Sequence, residues 1–234
     1  MPRETFQQEL DRLVGEVVSL GHEVGSCLGV MVEALERHDE EIARRELGVD
    51  AGFKEQAAEI DEECMVLQAR QAPVARDLRL VYTVQAVTNH LARVGTLSEH
   101  ICRAIVETAD AERDPDLETA LLQMARAACD VFRQGFDVFE DRDIDRARDL
   151  EALDDRVDLL YSEAMNLAVN PTGNKEESGS SEWRVRAVLN VHYLERIADH
   201  GVDIGERTVF LITGERVESA IRQYRDRNLD QYDD

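Results

Sequence analysis

The sequence predicts an all-α protein built as a tandem pair of three-helix bundles. Apolar residues recur at steps of three and four along six long stretches, and the second half of the chain repeats the pattern of the first. Aromatic residues make up only 5% of the 234 residues, with 4 prolines and 13 glycines. We therefore place one bundle at residues 1–109, a second at residues 110–214 and a charged tail at residues 215–234.

Three predicted helices fill the first half. The first begins near Thr5, and after a break near His38 the second runs to about Arg70. Pro73 suits the first turn of the third helix, because its missing N–H is not needed there, and that helix ends near Thr108. Four glycines lower the propensity of the first helix but allow another helix, or a second copy of the chain, to approach closely: Gly15, Gly21, Gly25 and Gly29.

The second half contains predicted helices at 116–140, 143–169 and 188–212, with a polar loop at 170–181. Asp39 and Asp50 align with Asp143 and Asp154 at an offset of 104 residues, whereas residues 91–94 align with 194–197 at an offset of 103. One insertion or deletion therefore relates the two halves. Such an internal repeat indicates two copies of one structural unit.

The net charge of −23 limits the possible partners and the environment. Lysine is nearly absent, since only Lys54 and Lys175 occur among 27 basic residues. An acidic, lysine-poor surface fits a halophilic host, where concentrated salt screens self-repulsion, although an ordinary acidic cytosolic protein is the alternative. No basic groove is visible in the pattern, so we expect no binding to nucleic acid.

The cysteines and the apolar runs indicate a cytoplasmic protein. The four cysteines are widely separated, form no C-x-x-C pair and lie in apolar helical patterns, so we expect buried thiols in a reducing compartment. No secretory signature begins the chain, and no apolar run approaches the length of a membrane span. We therefore expect no direct insertion into the membrane.

Acidic residues border the apolar stripe of the last predicted helix, on one side over roughly three turns. Because 50 residues are Asp or Glu, this spacing is weak evidence of a metal site by itself. A second acidic edge on the preceding helix strengthens it, and all-oxygen ligation favours Mg²⁺, Mn²⁺, Ca²⁺ or ferric iron. The two edges consist of Asp154 and Asp158, and of Glu195, Asp199, Asp203 and Glu206.

Three motifs resemble the PhoU family of regulators associated with high-affinity phosphate transport. Residues 71–79, Gln-Ala-Pro-Val-Ala-Arg-Asp-Leu-Arg, are similar to the family's Q-Q-P-V-A-x-D-L-R turn, and residues 194–200, Leu-Glu-Arg-Ile-Ala-Asp-His, to its L-E-R-I-G-D-H. Residues 213–215, Thr-Gly-Glu, resemble its usual ending. The resemblance implies two tandem three-helix bundles, each with an E/D-x-x-x-D signature that can hold a multinuclear metal cluster. It also implies a negative regulator of phosphate uptake that is not an enzyme.

Carried over to this chain, the signature gives a metal site in the second half. Its ligands would be Asp154, Asp158, Glu195 and Asp199, with Asp203 as a fifth carboxylate. Close anions raise one another's pKa unless cations neutralise them, so bound cations would stabilise the cluster. Iron, zinc, manganese and magnesium are not distinguished, nor is a structural from a phosphate-sensing role. His200 lies about 100° around the helix, and we expect it to be a surface or packing residue.

The first half departs from this signature. The positions that match Glu195, Asp199 and Asp203 are Ala92, Thr96 and His100, and Lys54 stands where the second half has Asp158. We expect the ammonium of Lys54 to lie near Asp50 as a fixed cation in place of a lost ion. An exposed lysine tolerated at a degenerate site is the alternative.

The resemblance also implies the partners. It predicts a metal-binding adaptor on the ATPase subunit of a phosphate transporter or on a sensor kinase, peripheral to the membrane through the transporter. Apart from the resemblance, the glycine-rich first helix offers a surface for a homodimer. A transcriptional or signalling module is one alternative. A di-metal ferritin-like enzyme is another, but its Glu-x-x-His pairs are missing because none of the six histidines follows a glutamate by three residues.

Overall fold

The computed structural model describes residues 3–170 and 179–215, and within these ranges the chain is helical without strands. Six helices are long and two are short. They are α1 (Arg3–Arg37), α2 (Glu40–Arg45), α3 (Val49–Gln71), α4 (Ala75–Glu107), α5 (Pro115–Asp141), α6 (Ile144–Ala147), α7 (Asp149–Val169) and α8 (Ser181–Thr213). The predicted fold, six long helices in two repeats, is confirmed.

The repeat extends to the way the short helices begin. His38 and Arg142, at equivalent positions, both adopt left-handed backbone conformations with φ of 53° and 58°. The next residues, Asp39 and Asp143, cap α2 and α6 by accepting backbone N–H hydrogen bonds at 2.9 Å. The same aspartate cap therefore starts the second segment of each half.

Two predicted helices are broken in the structure. The helix expected from residue 39 to 70 is divided into α2 and α3 by a turn at Gly48, whose φ of 88° suits a glycine because it has no Cβ. The helix expected at 143–169 is likewise divided into α6 and α7 near Arg148. Helix α8 begins at Ser181, and the side chain of Ser180 caps it by accepting a hydrogen bond from the backbone N–H of Trp183 at 3.2 Å.

The long helices of each half run up, down and up. In the first half, Arg12 of α1 pairs with Glu63 of α3 at 2.5 Å, whereas Glu23, further along α1, accepts from Gln56, earlier in α3. Helices α1 and α3 are therefore antiparallel, and α3 and α4 are antiparallel as well. The buried face is made of Leu, Val, Ile and Ala, including Val17, Leu20, Val24, Leu28, Val84, Leu91 and Val94.

The two bundles pack together through their last helices, α4 and α8, which run antiparallel. Arg79 near the start of α4 donates to the carbonyl of Leu211 near the end of α8, at 3.3 Å. At the other end, Glu107 of α4 pairs with Arg186 of α8 at 2.6 Å. Helices α1 and α5 also cross antiparallel, so the two repeats face each other with approximate two-fold symmetry.

Two glycines bring α5 and α8 into backbone contact. A Cβ added to Gly135 would lie 1.9 Å from the carbonyl oxygen of Gly201, and a Cβ on Gly201 would lie 2.6 Å from the Cα of Phe132. Both positions thus need glycine for steric reasons. On α1, the ring of Phe136 from the second bundle packs against Gly21. A Cβ added to any other glycine of α1 would have nothing within 4 Å.

Helix α1 is a core helix with high mean hydropathy. An 18-residue window in Glu4–Arg37 reaches a mean hydropathy of 1.2, so by length and composition this helix passes a test for a membrane span. The expectation that no stretch approaches such a span was therefore too strong. A core helix passes the same test, and α1 buries Leu13, Val17 and Leu20 in the bundle with at most 2% exposure.

The cysteines lie in the core as expected. Cys27, Cys64 and Cys102 are buried, Cys129 is half-buried, and all four are free thiols. Burial raises the pKa of each thiol, to about 12 for Cys27 and Cys64. These side chains therefore act as small apolar residues.

Candidate metal centre

Helices α7 and α8 bring the predicted acidic edges side by side. Asp154 and Asp158 lie one turn apart on α7, and Glu195 and Asp199 lie one turn apart on α8. The flanking apolar residues fix this arrangement, because Leu150 of α7 packs where α8 has a glycine. Asp154 and Glu195 are half-buried, whereas Asp158 and Asp199 are exposed.

The carboxylates destabilise one another's charged forms. Burial raises the pKa of Asp154 to about 6, aided by repulsion from Asp199 and Asp158. Burial is also the largest cause of the raised pKa values of Glu195 and Asp199, and Asp158 contributes to both shifts by repulsion. Bound cations would relieve this repulsion and favour the ionised forms.

The oxygen donors fit a hard cation, but they do not form a closed cage. Glu195 Oε2 is buried and accepts no hydrogen bond from the described residues, although the ring of His192 lies 3.5 Å away. Within residues 3–170 and 179–215, no three of these acidic side chains bring oxygen atoms within 4.8 Å of one another.

Asp203, the predicted fifth carboxylate, lies on the side of α8 that faces α4. Its Oδ2 is 3.7 Å from Nδ1 of His90, and that nitrogen is 3.1 Å from Nδ1 of His200. Asp203 still contributes to the raised pKa of Asp199. It therefore lies between the acidic edge and the contact between the two bundles.

His200 packs against His90 of α4, a partner that was not predicted. Burial lowers the pKa of His90, and burial together with His90 lowers the pKa of His200 to about 4, so both rings are neutral at pH 7. No sequence pattern indicated this pair, because the repeat aligns His90 with Tyr193 and not with another histidine. Only the antiparallel packing of α4 on α8 brings the two rings together.

The equivalent place in the first half is filled by an internal charge network. Lys54 forms an ion pair with Asp50, whose Oδ2 also accepts a hydrogen bond from Thr96 at 3.3 Å. The expected contact between Lys54 and Asp50 is thus present. The hydrogen bond between Asp50 and buried Glu99 lowers the pKa of Asp50 and raises that of Glu99, and Arg103 pairs with Glu99.

Replacing Lys54 by aspartate is expected to lower the free energy of unfolding by about 2 kcal/mol. This is below the 3–5 kcal/mol typical of fully buried pairs, since the Lys54 side chain is 55% exposed while that of Asp50 is 8% exposed. Thermal unfolding in concentrated salt measures the effect. Lys54→Arg keeps the charge and is expected to melt like the wild type; unchanged melting of Lys54→Asp would mean that the lysine is merely tolerated.

The fold and the site together define a class of protein: a helical tandem repeat whose second half brings acidic side chains of two neighbouring helices together. The model of the family described as "PhoU domain" matches residues 17–105 and again residues 121–208. The chain belongs to the PhoU family. Each matched segment lies within one of the two bundles.

Relatives and solved structures agree with this assignment. The phosphate-specific transport system accessory protein PhoU homolog of Clostridium acetobutylicum is 28% identical over 93% of this chain and 99% of its own length. The phosphate-specific transport system accessory protein PhoU of Escherichia coli is 27% identical over 90% of this chain and 86% of its own.

Crystal structures share the fold. The structure of PhoU from Pseudomonas aeruginosa covers 90% of this chain and all of its own length, with a TM-score of 0.84 and 24% identity. The phosphate transport system regulatory protein PhoU from Streptococcus pneumoniae covers 91% of this chain and 99% of its own, with a TM-score of 0.79 and 25% identity.

Proposed function

We propose that this chain is a cytoplasmic accessory protein that represses high-affinity phosphate uptake when phosphate is plentiful. One observation carries the proposal: relatives named as accessory proteins of phosphate-specific transport systems match along almost the entire chain, 93% of it in one case. The helical architecture offers long, rigid surfaces for protein contacts and supports a role as an adaptor on the transporter's ATPase subunit or on a sensor kinase.

Cation binding at the acidic edge would control how closely α7 approaches α8 in this adaptor. Helix α7 buries only Leu150, Val157 and Ala164, whereas α8 buries thirteen residues. Six further apolar side chains of α7 pack partly buried against the core, so α7 is less deeply buried than α8, which it faces across repelling carboxylates. Asp154, Asp158, Glu195 and Asp199 would hold the ions, which supply the positive charge that lets the two acidic edges approach.

Phosphate uptake in a deletion strain tests the proposed function. In phosphate-replete medium, loss of the gene is expected to raise the initial uptake rate several-fold, and the wild-type gene on a plasmid is expected to restore the low rate. The paired substitutions Asp154→Asn and Asp199→Asn are expected to fail in this restoration. Thr96→Ala, at the position in the first half that matches Asp199, serves as the control and is expected to restore repression.

Unchanged uptake in the deletion strain would contradict the regulatory role. Full repression by the double variant would instead mean that regulation does not require the acidic edge. Pull-down from phosphate-replete and phosphate-starved cells then tests the adaptor role, because it requires a transporter or kinase component to copurify in at least one condition.

A further inference from the structure

We infer that His90, His200 and Asp203 form a second metal site, for a divalent transition ion such as Zn²⁺, at the contact between the two bundles. This site takes Asp203 from the acidic edge of α8 but none of the four carboxylates that would hold ions between α7 and α8, and it does not depend on the proposed function. It would join α4 of the first bundle to α8 of the second. Two imidazoles and one carboxylate form a ligand set that suits zinc and related ions better than Mg²⁺ or Ca²⁺.

The distances between the ligand atoms carry this inference. In a tetrahedral site with zinc bonds of about 2.0–2.1 Å, neighbouring ligand atoms lie about 3.3 Å apart. The two Nδ1 atoms of His90 and His200 are 3.1 Å apart, and His90 Nδ1 is 3.7 Å from Asp203 Oδ2. Each of the three residues offers one ligand atom within 4.8 Å of the ligand atoms of the other two, so small shifts would place an ion between them.

The short distances between its ligand atoms distinguish this cluster within the described part of the chain. In residues 3–170 and 179–215, it is the one group of three His, Cys, Asp or Glu side chains whose ligand atoms approach this closely. Nε2 of His200 is buried and has no hydrogen-bond partner among the described residues. Three protein ligands would leave a fourth position for water.

The approximate two-fold symmetry of the α4/α8 contact provides an internal comparison. The symmetry exchanges His90 with Tyr193 and Asp203 with His100, since each pair is 103 residues apart. At that second place the rings of His100 and Tyr193 pack with centroids 5.2 Å apart, and Leu97 stands where the first place has His200. The packing geometry is thus repeated, but the ligands occur at one place only.

Zinc binding to the purified full chain tests this site. The acidic edge is first disabled by Asp158→Asn and Asp199→Asn, so that ions bound there do not contribute, and equilibrium dialysis against Zn²⁺ in concentrated salt then counts the remaining ions. One ion per chain is expected. Adding His90→Gln is expected to weaken binding more than about 100-fold, because loss of an outer-shell partner alone costs about 10- to 100-fold.

Two further variants make the result decisive. Asp203→Asn is expected to weaken zinc binding as well and to fold normally, since the Asp203 side chain is 47% exposed. His100→Gln is the matched control from the symmetry-related place and is expected to leave binding unchanged. The inference is overturned if the disabled chain binds no zinc, if His90→Gln retains its affinity, or if His100→Gln weakens binding equally. Circular dichroism of each variant confirms that it is folded.

Discussion

Gly201→Ala is expected to lower the free energy of unfolding by about 3 kcal/mol, at the upper end of the usual range for overpacking. The added methyl group would meet the backbone of α5, with the Cα of Phe132 at 2.6 Å. A side chain can change rotamer, but a helix backbone must move as a whole. Helices α5 and α8 would therefore separate and loosen the packing along their shared face.

Gly25→Ala is the matched control for this prediction. Gly25 lies within α1, and a Cβ there meets nothing within 4 Å. Because alanine has the higher helix propensity, this change is expected to stabilise the protein by up to about 1 kcal/mol. Urea unfolding at constant high salt measures both variants, and a Gly201→Ala protein as stable as the wild type would contradict the close backbone contact.

Introducing the first-half residues at the equivalent positions of the second half is expected to abolish stabilisation of the protein by metal ions. The double variant Asp158→Lys, Asp199→Thr recreates the pattern of Lys54 and Thr96. Metal at 100 times its dissociation constant stabilises a protein by about 2.7 kcal/mol, which corresponds to about 5–10 °C in melting temperature at this size. Mn²⁺ is expected to produce such a shift in the wild type and none in the variant.

The outcome separates the acidic edge from other binding sites. Thr96→Ala changes only the first half and is expected to keep the full Mn²⁺ response. A double variant that still gains several degrees would show that the stabilising ions bind elsewhere than at the carboxylates between α7 and α8. A wild type without any response would argue against a metal at the acidic edge.

The architecture was predictable because it follows from local patterns. Steps of three and four in the apolar residues marked the long helices, and the repeated Asp39 and Asp143 marked equivalent points of the two halves. The break at Gly48 was missed because an isolated glycine is tolerated within helices as well as in turns. Its left-handed conformation is visible only in the structure.

The site was predictable only where its residues share a helix or a repeat. The pairs on α7 and on α8 followed from four-residue spacing, and their apposition followed from the family resemblance. The contact of His90 with His200 depends on how two distant helices pack, which no local pattern encodes. Glu99 was also missed, because the equivalent position in the second half is Val202 and carries no charge.

The antiparallel crossing of α4 and α8 has an evolutionary consequence. A polypeptide consisting of one repeat could form the same crossing with a second copy of itself, as a symmetric homodimer. Duplication and fusion of such a gene would place both copies in one chain and free each from the requirement to be identical. One copy could then exchange its carboxylates for a lysine and a threonine while the other retained them, a divergence that a homodimer of identical subunits cannot undergo.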